Sequence, residues 1–177
     1  MGDPNAPALE TRRILETLGR HQVDYVIVGG MASIVHGAGV ATFDIAIVPA
    51  FRDANLQRLA NALADLRAGL RVEGEPEPVP FPLDPQSLRT FEVSTWRTDA
   101  GDLDIIIGIP TATAGELATF EELADRAHER SAFGLTILIA DLEDIITSKV
   151  ALSRGSDLAA LPALRDLQQR LDSESDS

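Results

Sequence analysis

The chain has 177 residues, 45% apolar and 24% charged, which fits one globular domain long enough to bury a core. It contains no cysteine, which excludes disulfide scaffolds, thiolate metal sites and cysteine nucleophiles, and no apolar run near the roughly 18 residues of a membrane span. The net charge of −13 argues against gripping duplex DNA by bulk electrostatics, and leaves open a basic partner, a local basic cleft or a merely soluble acidic surface.

The opening Met1-Gly2-Asp3-Pro4 puts acid before any base and no apolar run follows, unlike a secretory signal, so a cytoplasmic location is expected. Residues 3–7 read as a frayed, proline-rich start. Residues 8–21 predict a helix, with Leu9, Ile14, Leu15 and Leu18 on one face and Gly19 weakening its end. Residues 24–28 are short, β-branched and apolar, and predict a buried strand ending at Gly29-Gly30. A short helix over 30–37 follows. Residues 42–49 alternate as a second strand, with Phe43, Ile45 and Ile47 on one side and Thr42, Asp44, Ala46 and Val48 on the other.

Residues 52–67 form an amphipathic pattern with Leu56, Leu59, Leu63 and Leu66 at helical spacing. Five prolines make 73–85 an extended loop inside the domain. Residues 91–95 and 103–109 predict a hairpin around the turn at 98–101. A helix over 120–130, a short strand over 136–139 and helices over 142–152 and 158–171 complete the pattern, and the polar residues 172–177 read as a disordered tail. This order predicts a single α/β (α+β) domain over 1–171, a small mixed sheet flanked by helices with a helical C-terminal part.

Several residues stand out from this frame. Two glycines between a strand and a helix let backbone N–H groups approach a phosphate, although close packing alone also explains such pairs. Asp44 and Asp104 interrupt strands that would otherwise be pure core. A carboxylate there is costly unless it pairs, binds metal or reaches water at a strand end. Two aspartates on neighbouring strands beside a phosphate-cradling turn fit a Mg²⁺ that also grips a nucleoside triphosphate. Asp99 and Asp102 read as turn acids. Of fifteen basic residues Lys149 is the one lysine, placed either by coding bias or for a compact ammonium beside a phosphate. His36 could bond a substrate or cap its helix; His21 and His128 carry no motif; Trp96 and Phe91 fit hairpin core better than base stacking.

The run Val26-Ile27-Val28-Gly29-Gly30-Met31-Ala32-Ser33-Ile34-Val35-His36-Gly37, followed by Thr42-Phe43-Asp44-Ile45-Ala46-Ile47-Val48-Pro49, resembles the opening motif of minimal nucleotidyltransferases, closest to the AbiEii-type toxins of bacterial toxin–antitoxin systems. Asp104 fits that family's third carboxylate. Residues 142–149, ending in Lys149, then Arg154 and Asp157, resemble its C-terminal helix motif. The resemblance extends from about residue 21 to 157. Two positions depart from it: Ala46 stands where the family has its second aspartate, and Val40 where it often has arginine.

The resemblance implies the nucleotidyltransferase fold and Mg²⁺-dependent transfer of a nucleotide from an NTP. Asp44 and Asp104 would hold metal. Gly29, Gly30, Ser33 and Thr42 would surround the phosphates. Lys149 and Arg154 would neutralise them, with Asp157 orienting Lys149 or the base. It also implies a tRNA 3′ end as acceptor. The alternatives are a protein acceptor on a partner toxin, with an antitoxin or toxin as cognate partner, or a catalytically dead nucleotide- or partner-binding module. Loss of one carboxylate of three at Ala46 implies an impaired site.

Overall fold

The computed structural model describes residues 7–175. Residues 3–6 of the proline-rich opening and residues 176–177 lie outside them. In chain order the described residues form α1 (Thr11–Arg20), β1 (Tyr25–Val28), α2 (Gly29–Val35), β2 (Asp44–Pro49), α3 (Asp53–Asp65), β3 (Gly69–Leu70) and α4 (Pro85–Leu88). The hairpin strands β4 (Val93–Thr98) and β5 (Gly101–Ile106) follow, then β6 (Ile109–Pro110), β7 (Leu117–Ala118) and α5 (Phe120–Arg126). The chain closes with β8 (His128–Ala132), β9 (Leu135–Ile139), α6 (Leu142–Leu152) and α7 (Gly155–Ser175).

Seven strands make a mixed sheet in the order β3-β4-β5-β2-β1-β9-β8, and β6 and β7 form a separate ribbon. β1 lies inside the sheet, between β2 and β9, and is buried at every residue, which is why it reads as a continuous apolar run. It pairs antiparallel with β2 and parallel with β9, while β2 pairs parallel with β5. Alternation then sorts β2 and β5 into two faces. Ile45, Ile47, Leu103 and Ile105 point into the core, with Trp96 beside them from β4. Asp44, Ala46, Asp102, Asp104 and Ile106 lie on the other, half-buried face.

The helices bury the stripes their spacing announced. Ile14, Leu15 and Leu18 of α1, and Leu56, Leu59 and Leu63 of α3, are in the core. A buried polar side chain locks α3 to the sheet. The Asn55 amide donates to the Asp24 and Ala50 carbonyls, both at 2.9 Å, and its oxygen accepts from the Asp24 N–H at 2.7 Å. Each such bond contributes about 1 kcal/mol net and would cost more if left unmade.

Several expectations are corrected. The helix expected over 120–130 stops at Arg126, and residues 128–132 form edge strand β8. That strand is almost wholly polar and exposed, as suits a sheet edge, and so carries no alternating signal. The proline-rich loop contains more structure than expected: Val79 bridges back to Leu70, and Asp84 caps α4 through the Ser87 N–H. Phe43 precedes β2 and is 61% exposed, so it does not share the inward side of Ile45 and Ile47. Asp102 is a strand residue, not a turn acid. Residues 172–175, expected as disordered tail, continue α7, with the Ser173 and Ser175 hydroxyls donating to the Gln169 and Leu171 carbonyls.

No helix among the described residues is long and apolar enough to cross a membrane.

Candidate active site

β1 runs directly into Gly29 and Gly30, the first residues of α2. Gly29 has φ +66°, a left-handed conformation that disfavours any side chain. A Cβ on Gly30 would lie 2.8 Å from the Thr42 Oγ1, so the bare backbone lets Thr42 approach. The paired strand β2 sets Ala46 opposite Val28, and β5 sets Asp104 opposite Ala46 and Asp102 opposite Asp44. Thus the glycine turn, Asp44, Ala46 and Asp104 converge because three strands share one register.

From the far side come α6 and α7. Lys149 and Arg154 both reach Asp157, at 3.3 and 2.6 Å. Asp157 is 2% exposed. Burial alone would raise its carboxyl, but the Arg154 hydrogen bond and the two cations outweigh that and hold it below the usual range.

These residues enclose a cavity of about 540 Å³, lined by Gly29, Gly30, Asp44, Ala46, Asp104, Lys149, Arg154 and Asp157 among others. Its remaining wall is largely apolar, with Val93, Ile106, Pro110 and Leu117, and carries Glu92, Ser148 and Ser156.

The two aspartates that β2 and β5 bring to the cavity, Asp44 and Asp104, differ from their neighbour Asp102. Asp102 is held by Arg97 through two hydrogen bonds of 2.9 and 3.0 Å. Asp104 accepts instead from a neutral hydroxyl, Thr95 Oγ1, at 2.7 Å. Burial pushes the Asp104 carboxyl up to about 6 against that bond, repulsion from Asp44 and Asp102 adds to the rise, and Arg154 offsets part of it. Asp44 is also raised, by burial first, with the Thr42 hydrogen bond opposing and Asp102 reinforcing. Two carboxylates that ionise reluctantly on one wall form a donor set that a divalent cation would satisfy. Among the described residues no three His, Asp or Glu side chains gather into a metal site. Two carboxylates suffice for Mg²⁺ when substrate phosphates supply further oxygens.

Two residues expected around the phosphates stand apart. Ser33 is fully buried, its hydroxyl donating to the Gly29 carbonyl at 3.0 Å, so it braces the turn from behind. Thr42 bonds the Asp44 carbonyl and carboxylate at 3.1 and 3.3 Å and is not part of the cavity wall. His36 bonds the Ala140 carbonyl at 2.8 Å and meets the His128 ring edge-on at 5.3 Å. Trp96 is fully buried and bonds Ser94, which leaves it no face for a base. Sequence reasoning missed Glu92, Thr95 and the apolar wall. Thr95 was countable: a hairpin closing at Thr98 and Gly101 places it opposite Asp104.

Neither a family model nor a curated protein matches the chain. Solved structures do. A Thermotoga maritima protein assigned as a nucleotidyltransferase superposes with TM-score 0.55 at 14% identity, covering 97% of this chain and 99% of that one. The lincomycin-bound lincosamide antibiotic adenylyltransferase LnuA superposes with TM-score 0.54 at 17% identity, over 91% of this chain and 99% of that one. ANT(2″)-Ia in complex with adenylyl-2″-tobramycin gives TM-score 0.54 at 15% identity, over 92% and 88%. At such identities the likeness concerns architecture, and on that evidence the chain has the nucleotidyltransferase fold.

Proposed function

We propose that the cavity binds a nucleoside triphosphate with Mg²⁺, and that the site is built for nucleotide transfer to a hydroxyl but impaired in this chain by Ala46. The observation that carries this is the convergence of Gly29-Gly30, the raised Asp44 and Asp104 carboxylates and Lys149 with Arg154 on one cavity. The glycine N–H groups and Lys149 would take the phosphates, and Asp44 with Asp104 would hold the cation. When bound, Mg²⁺ supplies charge neutralisation at the reacting phosphate. In the transfer the acceptor oxygen would bond to the α-phosphorus as pyrophosphate leaves, with the hydroxyl proton passing to solvent.

The AbiEii-type resemblance makes a tRNA 3′ end the first acceptor to test, with a toxin–antitoxin role to match. A small hydroxyl-bearing molecule is a second reading, supported by the apolar wall and by the scarcity of cations around the cavity. LnuA and ANT(2″)-Ia, the neighbours named above, carry such small molecules in their structures.

The test is transfer of label from each of four α-labelled NTPs, with Mg²⁺, to bulk tRNA and to a panel of small alcohols and amino alcohols. Wild type and Ala46→Asp are compared. Restoring a carboxylate opposite Asp104 is expected to raise transfer about a hundredfold, since a metal ligand governs several kcal/mol of transition-state stabilisation. Labelled tRNA selects the toxin-type reading, and a labelled alcohol selects the second. Nucleotide binding without transfer in either protein would leave a binding module.

A further inference from the structure

We propose that Thr95 is a positioning residue of this site, fixing one oxygen of the Asp104 carboxylate so that the group is presented to a cation in the cavity. The inference rests on the nucleotide-and-metal reading above. Thr95 is the direct cross-strand partner of Asp104 in the β4–β5 ladder, and its Oγ1 donates to Asp104 Oδ1 at 2.7 Å. Both residues sit on regular strands, and a β-branched threonine has few rotamers, so the hydroxyl is held in place before any ligand arrives. Asp104 itself lines the cavity, whereas Thr95 is not among its lining residues, so Thr95 acts through Asp104.

The nature of the donor matters. Two residues away on the same face, Asp102 is neutralised by the Arg97 guanidinium. A guanidinium at Thr95 would orient Asp104 equally well but would cancel the charge a divalent cation needs. A hydroxyl orients the carboxylate and leaves its charge in place. Thr42 does less for Asp44: its hydroxyl is shared between the main-chain and side-chain oxygens at 3.1 and 3.3 Å, and it lies outside any strand. Groups that orient metal ligands in this way typically govern 10–100-fold in metal affinity.

The experiment is Mn²⁺ binding to the full chain at pH 7.5, followed by the loss of the free-ion electron paramagnetic resonance signal. Wild type, Thr95→Val, Thr95→Ala, Thr95→Ser and Asp104→Asn are compared, each with its thermal midpoint. Both hydroxyl-less variants are expected to bind Mn²⁺ about tenfold more weakly, with Thr95→Ser within about twofold of wild type. Equal affinity in wild type and in whichever of Thr95→Val and Thr95→Ala folds overturns the role of Thr95 alone. Equal weakening by Thr95→Ser overturns it too, because packing and not the hydroxyl would then be responsible. No Mn²⁺ binding by wild type, or binding unchanged in Asp104→Asn, overturns the metal-site reading itself and this inference with it.

Discussion

At the turn end of the β4–β5 hairpin every acid has a cation: Asp99 faces Arg67 at 3.1 Å and Arg13 at 3.9 Å, and Asp102 is clasped by Arg97. Toward the other end Asp104 has a threonine, and on the neighbouring strand β2 Asp44, level with Asp102, shares another. The cations nearest this end, Lys149 and Arg154, are engaged by Asp157 on the opposite wall. The same side chain therefore does two jobs on one ribbon. Where a guanidinium meets it, it closes a structural ion pair. Where only hydroxyls meet it, its charge stays uncompensated and burial makes its carboxyl titrate high. Residual negative charge facing a cavity marks the candidate site better than the count of acids does.

The contrast can be broken from three directions. The largest stability effect is expected at Asp157, where Asp157→Asn leaves the nearly buried Lys149 without its anion and the exposed Arg154 without its partner. A loss of about 3 kcal/mol by urea denaturation is expected. Because its native pKa is depressed, Asp157 adds stability above the unfolded carboxylate value near 4 and loses it as pH falls further. The variant's deficit should therefore shrink below pH 4.

Next comes the paired test of Asp102→Asn and Asp104→Asn. One substitution on one strand, two residues apart, should act with opposite sign. Asp102→Asn removes a charge-assisted pair and should cost about 2 kcal/mol. Asp104→Asn should stabilise by about 1–2 kcal/mol at pH 7, seen as a rise of several degrees in Tm. The sign follows from a native pKa of about 6: between roughly pH 4 and 6 the folded state holds a proton the unfolded state releases, so ionisation costs stability as pH rises. The gain should vanish below pH 4. A destabilised Asp104→Asn at pH 7 would remove the distinction between the two ends.

The smallest effect is expected at the turn. Gly29→Ala has room for its methyl, 3.5 Å from the Ala46 Cβ, so the cost is the left-handed backbone alone, about 1 kcal/mol by thermal unfolding. A loss of several kcal/mol would mean that the turn is strained by packing as well.

Elements with a strong period were legible in the sequence. The helix at 142–152, the amphipathic α3 and the apolar β1 follow from side-chain spacing, since burial of one face is a local consequence of that spacing. β8 was not legible, because an edge strand covered by nothing needs no apolar face. The loop elements β3 and α4 were missed for a related reason: they are a few residues long and fixed by a bridge and a cap. At the candidate site, Gly29, Gly30, Asp44 and Asp104 could be named before any coordinates because glycine pairs and acids inside apolar runs are locally costly, Lys149 stood out as the one lysine, and Arg154 and Asp157 followed only from the family resemblance.

Tertiary structure alone decided what those residues face. Nothing local says that Ser33 turns inward to the Gly29 carbonyl, that Ala46 lies opposite Asp104, or that Val93 and Leu117 complete the cavity. Composition and period determined the strands, the helices and the odd acids, because those depend on neighbours along the chain. The pairing of Asp102 with arginine and Asp104 with threonine depends on strand register, a long-range choice set by how whole strands bury their apolar sides.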